Sequence, residues 1–449
     1  MHLEELHLEK LPCDYADVRV EERYRSNLVY RNFETQSGIE LQDTSAFIRV
    51  FHNGRWFFST TTDIEKIGRE IDRLMKLSGR FPGISSPLTV PHATRRNIIR
   101  CADENARLHP LREKKRVLES YFFIYRKEKK LADCTAIYAD WWIRKHIRSS
   151  KGHQCTYDTT MHGLHFDFTV KDGGQMFRSR FGVAYPVFLR LSGLQNLVSR
   201  DLAEAKRFLR AKTVKPGTYP VILSEQTAGV FAHESFGHKS EADFMMGDKK
   251  MMEEWQIGKR VGASTLSIVD RGNVWGTCGY CPFDDEGTMC RKTYLIRNGI
   301  LEGRLHSLET ATALGEKPTG NARAINGQFE PMVRMTNTYI EAGASRFNEL
   351  LEGIELGVYV KSFRHGSGLS TFTIAPDRAY MIRDGRLAEP VRVAVVSGTV
   401  FQTLKDIDGL SSRVRLFRSV IGGCGKSEQA PLPVSFGGPK VKVRQMHVS

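Results

Sequence analysis

Apolar residues change their period several times along the chain, and each change marks an element. From Asp17 to Glu22 and from Phe47 to Phe58 apolar and polar positions alternate, the period of half-buried strands, and Asn53-Gly54 stands where a tight hairpin turn belongs. The period then lengthens. Ile64, Ile67, Ile71, Leu74 and Met75 repeat at helical spacing, Thr62 and Glu65 make a capping-box pair, and Gly79 supplies a stop. A polar, Pro-bearing connection follows from Gly79 to Pro110. Between Tyr121 and Arg180 the pattern predicts several short strands, including the Trp141-Trp142 pair and a turn at Asp172-Gly173. A second helix is predicted from about Ser199 to Arg210.

Lys215-Pro216-Gly217 punctuates the chain before a short strand, Tyr219 to Leu223, which runs straight into a helix. Beyond it strands dominate. Thr293 to Leu305 and Ala379 to Val391 are two hairpins built alike, one turning on Asn-Gly and the other on Asp-Gly, and a short helix at Ser345 to Glu352 ends at Gly353. The expected fold is α+β: an N-terminal mixed α/β domain at residues 1–215, with a subdivision near 80–120, then a strand-rich C-terminal domain at 216–449 carrying a metal-binding helix.

Composition narrows the class. With 449 residues, 41% hydrophobic and 26% charged, the chain is long enough for two or three domains and is neither disordered nor fibrous. Eight scattered cysteines suit a reducing compartment rather than a disulfide scaffold. No apolar stretch reaches the ~20 residues a membrane helix needs, and the first residues have no secretory apolar core, so a soluble cytoplasmic protein is expected. The net charge of +15 permits nucleic-acid binding without establishing it. The densest basic stretch, Arg112 to Lys130, accompanies no nucleic-acid module and is expected to be a solvated face.

The most informative segment holds His233, Glu234, His238 and Glu241, an HExxxH pattern with one residue more than the familiar HExxH zinc signature. The extra residue has a geometric cost. On an α-helix, positions four apart sit about 40° apart around the axis, whereas positions five apart sit about 140° apart. For both imidazoles to reach one ion, the helix must widen into a π-type turn or break near Ser235 to Gly237, and Gly237 is suitably permissive. Glu241, seven residues after Glu234, falls on the same face. It is open to three readings: a group hydrogen-bonded to a ligand histidine, a surface carboxylate, or a ligand itself.

Around this pattern the chain resembles the TldD/PmbA family of metalloproteases, formerly described as modulators of DNA gyrase, and within it the TldD branch that carries the metal motif. The stretches that carry the resemblance are YPVILSEQTAGVFAHESFGHKSEAD (Tyr219 to Asp243), DDEGT (Asp284 to Thr288), TGNARA (Thr319 to Ala324) and RMTNTYI (Arg334 to Ile340). With them go VYVKSF (Val358 to Phe363), IGGCGK (Ile421 to Lys426) and, near the start, NGRWFFSTT (Asn53 to Thr61). The resemblance implies a zinc-dependent metallopeptidase acting on unfolded or small peptides. By it, His233, His238 and Cys424 hold one Zn2+ per chain and Glu234 is the general base. It further implies a homodimer, or a heterodimer with a TldE/PmbA-like chain, enclosing the site. From the sequence itself, with no nucleic-acid module and no long apolar run, neither nucleic acid nor membrane is an expected partner. The alternative is a metal-binding regulatory protein associated with DNA or gyrase and lacking peptidase activity.

The remaining motifs carry less. Cys278 and Cys281 form a CxxC with Cys290 nearby, but a fourth ligand at zinc-knuckle spacing is missing, and spectator thiols are expected. An extended peptide is most simply held by strand addition at a sheet edge, for which Asp285 to Thr293 and Arg334 to Ile340 are candidates. Asn321, Arg323, Asn337 and His306 are expected to be structural.

Overall fold

The computed structural model describes residues 3–83, 87–368 and 370–449. Seven strands build the first sheet: β1 (Tyr15–Arg31), β2 (Glu34–His52), β3 (Arg55–Thr61), β4 (Arg95–Ile98), β5 (Leu131–Ser149), β6 (Gln154–Asp172) and β7 (Gln175–Tyr185). Their order is β3-β2-β1-β5-β6, with β4 and β7 both on β6, and only the β4–β6 pair is parallel. Asn53 and Gly54 take positive φ, 54° and 71°, at the β2–β3 hairpin, as that turn requires. The strands are longer than the pattern predicts. β5 and β6 have 19 residues each, because each stays paired with neighbours on both sides, and Cys134, Ala136 and Tyr138 keep one face of β5 buried. Tyr121 does not begin a strand; it opens the helix Phe122–Arg126, since a short apolar run has no period by which to choose.

The helix Ile67–Ser78 packs Ile67, Ile71 and Leu74 onto Val18, Val20, Ile48 and Val50. Its start and stop differ from expectation. Asp63 rather than Thr62 caps the entering turn, accepting from the Glu65 amide, and Gly79 stays right-handed at φ −65°. In the connection to Pro110, residues 84–86 lie outside the described residues, and β4 is an element the sequence pattern did not suggest. The second predicted helix is Gln195–Arg207.

In the second half, five strands close into a barrel: Gly217–Leu223, Leu356–Gly368, Thr371–Arg383, Val396–Thr399 and Val441–Val448. Each pairs with two of the others. Val221, Leu223, Val358, Val360, Phe372, Ile374, Val396, Val441 and Val443 belong to one apolar core with the helix Glu225–Ala232. A six-stranded sheet lies on the helix's other side, in the order Ile300–Leu301, Lys292–Arg297, Ile268–Arg271, Asn337–Ile340, Ser435–Gly438, Arg415–Phe417. Buried between barrel and sheet, that helix has no polar face: every residue from Thr227 to Ala232 is covered. Gly229 permits the approach, because a Cβ there would lie 2.4 Å from the Cα of Gly437. Both predicted hairpins form, with Asn298, Gly299, Asp384 and Gly385 at positive φ.

An N-terminal mixed sheet-and-helix layer followed by a strand-rich C-terminal part makes the fold α+β. Apolar and charged contacts join the two parts. Phe166 and Phe181 share a core with Ile222, Tyr359 and Tyr380, and Arg19 and Lys145 both pair with Asp285, at 2.9 and 2.7 Å.

Candidate metal centre

Ser224 caps the helix Glu225–Ala232 by accepting from the Thr227 amide at 3.2 Å. The helix continues as a π turn over His233–Gly237 and then a 3-10 turn over His238–Ser240. The wider turn absorbs the fifth residue of the spacing, so that the rings of His233 and His238 meet with centroids 5.2 Å apart. Gly237 has an ordinary helical φ of −58°, so its permissiveness is not what the turn uses. Its missing side chain is: a Cβ there would sit 2.1 Å from the Met335 sulfur.

Cys424 arrives from a short hairpin, Cys424–Lys426 paired with Gln429–Leu432. The guanidinium of Arg334, fully buried, clamps that hairpin by donating to the carbonyls of Cys424 and Gln429 at 2.7 and 3.1 Å. Cys424 Sγ lies 3.5 Å from His238 Nε2, and one ligand atom each from His233, His238 and Cys424 lie within 4.8 Å of one another. Burial opposes a thiolate here, yet His233 and then His238 outweigh it and bring the Cys424 thiol down to about 5. Burial likewise opposes charge on His238, but Cys424 and Glu241 raise it to about 10. The charged forms of the two side chains support each other.

Two imidazoles and a ready thiolate are a zinc-type donor set, and His233 Nδ1 is buried with no hydrogen-bond partner. The residues present fit a zinc ion. Glu241 is fully buried behind His238, its Oε2 3.5 Å from Nδ1, so the surface reading does not apply. The same oxygen accepts from Lys426 Nζ at 2.8 Å, and Lys426 also holds Asp243 at 2.7 Å. Lys426 and Arg334 lie in motifs quoted from the sequence, but nothing in their spacing indicated these contacts.

Glu234, half-buried, lines a cavity of about 790 Å³ together with His233 and Cys424. Phe363, Phe417 and Phe436 form an aromatic wall of the cavity, with Phe436 5.7 Å from the His233 ring. Neither expected peptide edge forms at the cavity. Asn337–Ile340, within Arg334 to Ile340, is interior and paired on both sides, and Asp285 to Thr293 is mostly buried turn and loop, entering a strand only at Lys292. The sheet edge at the cavity is Arg415–Phe417, which the sequence did not suggest; its Arg415 and Phe417 line the cavity.

The other sequence candidates are structural. Asn321 donates to Asp270, Arg323 to the carbonyls of Met335 and Pro433, and Asn337 to those of Arg271 and Gly279. His306 is held between Thr310 and Glu316. Cys278, Cys281 and Cys290 are buried, each thiol directed at a backbone carbonyl. The structure also brings together Glu104, His109 and His162, whose ligand atoms again lie within 4.8 Å; their spacing of five and fifty-three residues gave no signal.

A barrel, a buried helix and a His-His-Cys group beside a cavity are the features that comparison with known proteins places in a metalloprotease family. Residues 216–449 match the PmbA/TldA metallopeptidase C-terminal domain and residues 16–78 match PmbA/TldA metallopeptidase domain 1. A metalloprotease of Synechocystis sp. is 34% identical over 97% of this chain and 95% of its own length, and one of Methanothermobacter thermautotrophicus is 30% identical over 97% and 95%. The chain belongs to the TldD/PmbA metalloprotease family. Its fold is also that of TldE from Thermococcus kodakarensis, with a TM-score of 0.80 at 14% identity over 99% of both chains. The same holds for a Thermotoga maritima protein described as a candidate modulator of a DNA gyrase, with 0.79 at 18% over 97% of this chain and 96% of that one. No helix among the described residues is long and apolar enough to cross a membrane.

Proposed function

We propose that the chain is a zinc-dependent metallopeptidase hydrolysing unfolded or small peptides. The observation that carries the reading is the π turn, which turns a five-residue spacing into two converging imidazoles beside Cys424, with Glu234 on the wall of the same cavity. His233, His238 and Cys424 would hold one ion per chain. Zinc bound there would supply a Lewis acid that polarises the scissile carbonyl and acidifies water. Glu234 takes the proton from the attacking water and returns it to the departing amine. Glu241 orients His238 through Nδ1, with Lys426 holding the carboxylate in place. The edge Arg415–Phe417 pairs with an extended substrate, and the three phenylalanines receive an apolar side chain of it.

We read the chain as an N-terminal unit at 1–215 and a metallopeptidase unit at 216–449, in a cytoplasmic setting suited to eight free cysteines. It pairs as a homodimer or with a TldE/PmbA-like chain, a reading supported by relatives named as TldD homologues and by the likeness to TldE. The test is metal analysis beside cleavage of an unfolded polypeptide by wild type and Glu234→Gln. Wild type should carry zinc and cleave in a chelator-sensitive way; a zinc-loaded wild type that cleaves no faster than Glu234→Gln sinks the reading. The regulatory alternative draws on the gyrase-modulator description of a structural neighbour and predicts duplex binding lost steeply as salt rises.

A further inference from the structure

A second convergence of ligand types lies in the first half of the chain and uses none of the residues assigned above. His162 stands in the middle of β6, opposite Asp140 of β5, and is completely buried. His109 follows the short turn Ala106–Leu108, its ring stacked on Phe188 with centroids 4.1 Å apart, and Glu104 precedes that turn. Glu104 Oε1 lies 3.0 Å from His109 Nε2 and 3.4 Å from His162 Nε2. The Phe188 amide also donates to that oxygen, at 3.1 Å.

Hydrogen bonding on the far side of His162 sets its tautomer. Nδ1 is 3.3 Å from the Tyr138 hydroxyl, which itself donates to Asp140 at 2.7 Å, and is 3.6 Å from Asp140. Only a donor suits that surrounding, so Nδ1 carries a proton and Nε2 is the nitrogen left to face Glu104. That Nε2 is buried and makes no hydrogen bond. The gap between Nε2 and the Glu104 oxygen has to hold positive charge, either a proton, which Asp140 and Glu104 favour on this ring, or a bound cation, and His109 aims a second nitrogen at the same oxygen. A carboxylate behind an imidazole is also what fixes a ligand's tautomer and raises its basicity in metal sites. Charge agrees: Glu104 and Asp140 bring two negative charges, and Lys114, 2.8 Å from Asp140, returns one.

We propose that Glu104, His109 and His162 form a second metal site, for a divalent first-row cation such as Zn2+, held by two imidazoles and one carboxylate. Glu104 and His109 are half-buried, which gives the ion a route from solvent. Bound there, it pins the connection between the helix Ile67–Ser78 and β5 to the middle of β6. The site is a staple for the N-terminal half, independent of the His233 group.

The experiment uses the full chain, stripped of metal and titrated with zinc chloride alone, with stoichiometry read by mass spectrometry and calorimetry. Wild type should bind two equivalents, and the double variant His238→Ala/Cys424→Ala should keep one and gain thermal stability with zinc. Adding His109→Asn, or in a separate chain Glu104→Gln, should abolish both effects. These half-buried positions are changed rather than His162, and circular dichroism checks that each variant is folded. A wild type that binds one equivalent, lost entirely in the double variant, means a proton-bridged network only and overturns the proposal while leaving the His233 site intact. A folded His109→Asn chain that still binds two equivalents overturns it as well.

Discussion

At the scale of single residues the proposed function gives the two carboxylates near His233 different work, and substitution separates them. Glu234→Gln keeps shape and removes the base, so kcat should fall by about 10²- to 10⁴-fold with zinc content unchanged. Glu241→Gln should instead weaken zinc about 10- to 100-fold, read by chelator competition, because it frees the His238 ring to turn. The histidine pair was legible in the sequence because a spacing of five, set against 3.6 residues per turn, demands a widened turn. Cys424 was not legible that way. It stands 186 residues from His238, and only the likeness of IGGCGK to a family motif singled it out. Glu104, His109 and His162 had neither help: the strand pairing that places His162 opposite Asp140 leaves no mark on their spacing.

At the scale of elements, two glycines hold the ligand helix in place for different reasons, and the difference is testable. Gly237→Ala drives a methyl into the Met335 side chain, so it should lower zinc occupancy, and shortening that side chain with Met335→Ala should restore part of it. Gly229→Ala meets the main chain of Gly437, which no side-chain change relieves. It should cost at least about 1–3 kcal/mol in urea unfolding, with no rescue by Met335→Ala. Neither role shows in the sequence, where Gly237 reads only as a permissive point in the turn and Gly229 gives no sign of a close approach. Turn dipeptides were the more faithful guide: the hairpins at Asn53, Asn298 and Asp384 depend on local backbone preference alone. Strand length and edge position were lost, since β5 and β6 extend only because neighbours on both sides keep pairing, and Asn337–Ile340 is interior only because Ser435–Gly438 comes to lie beside it.

At the scale of the molecule, buried charge ties the first sheet to the second half. Burial works against ionised Asp285, but Arg19 and Lys145 outweigh it and hold its carboxyl below the usual carboxylate range. A depressed carboxyl stabilises the fold above its unfolded value, about 3.9, and loses that contribution as pH falls through the folded value. The gap in unfolding free energy between wild type and Asp285→Asn should therefore be flat above about pH 5 and close below about pH 4. Arg19→Ala, which leaves Asp285 with one cation fewer, should cost about 3–5 kcal/mol at neutral pH. The separation of the ligands along the chain has a further consequence, in time. A ribosome that has just translated His238 must still add 186 residues before Cys424 exists. At the usual ~5–20 residues per second that is about 10–40 s. Throughout that interval the growing polypeptide owns two of the three residues proposed to hold zinc, so under the proposed function the fragment that folds first is not yet equipped to cut the unfinished chain that follows it.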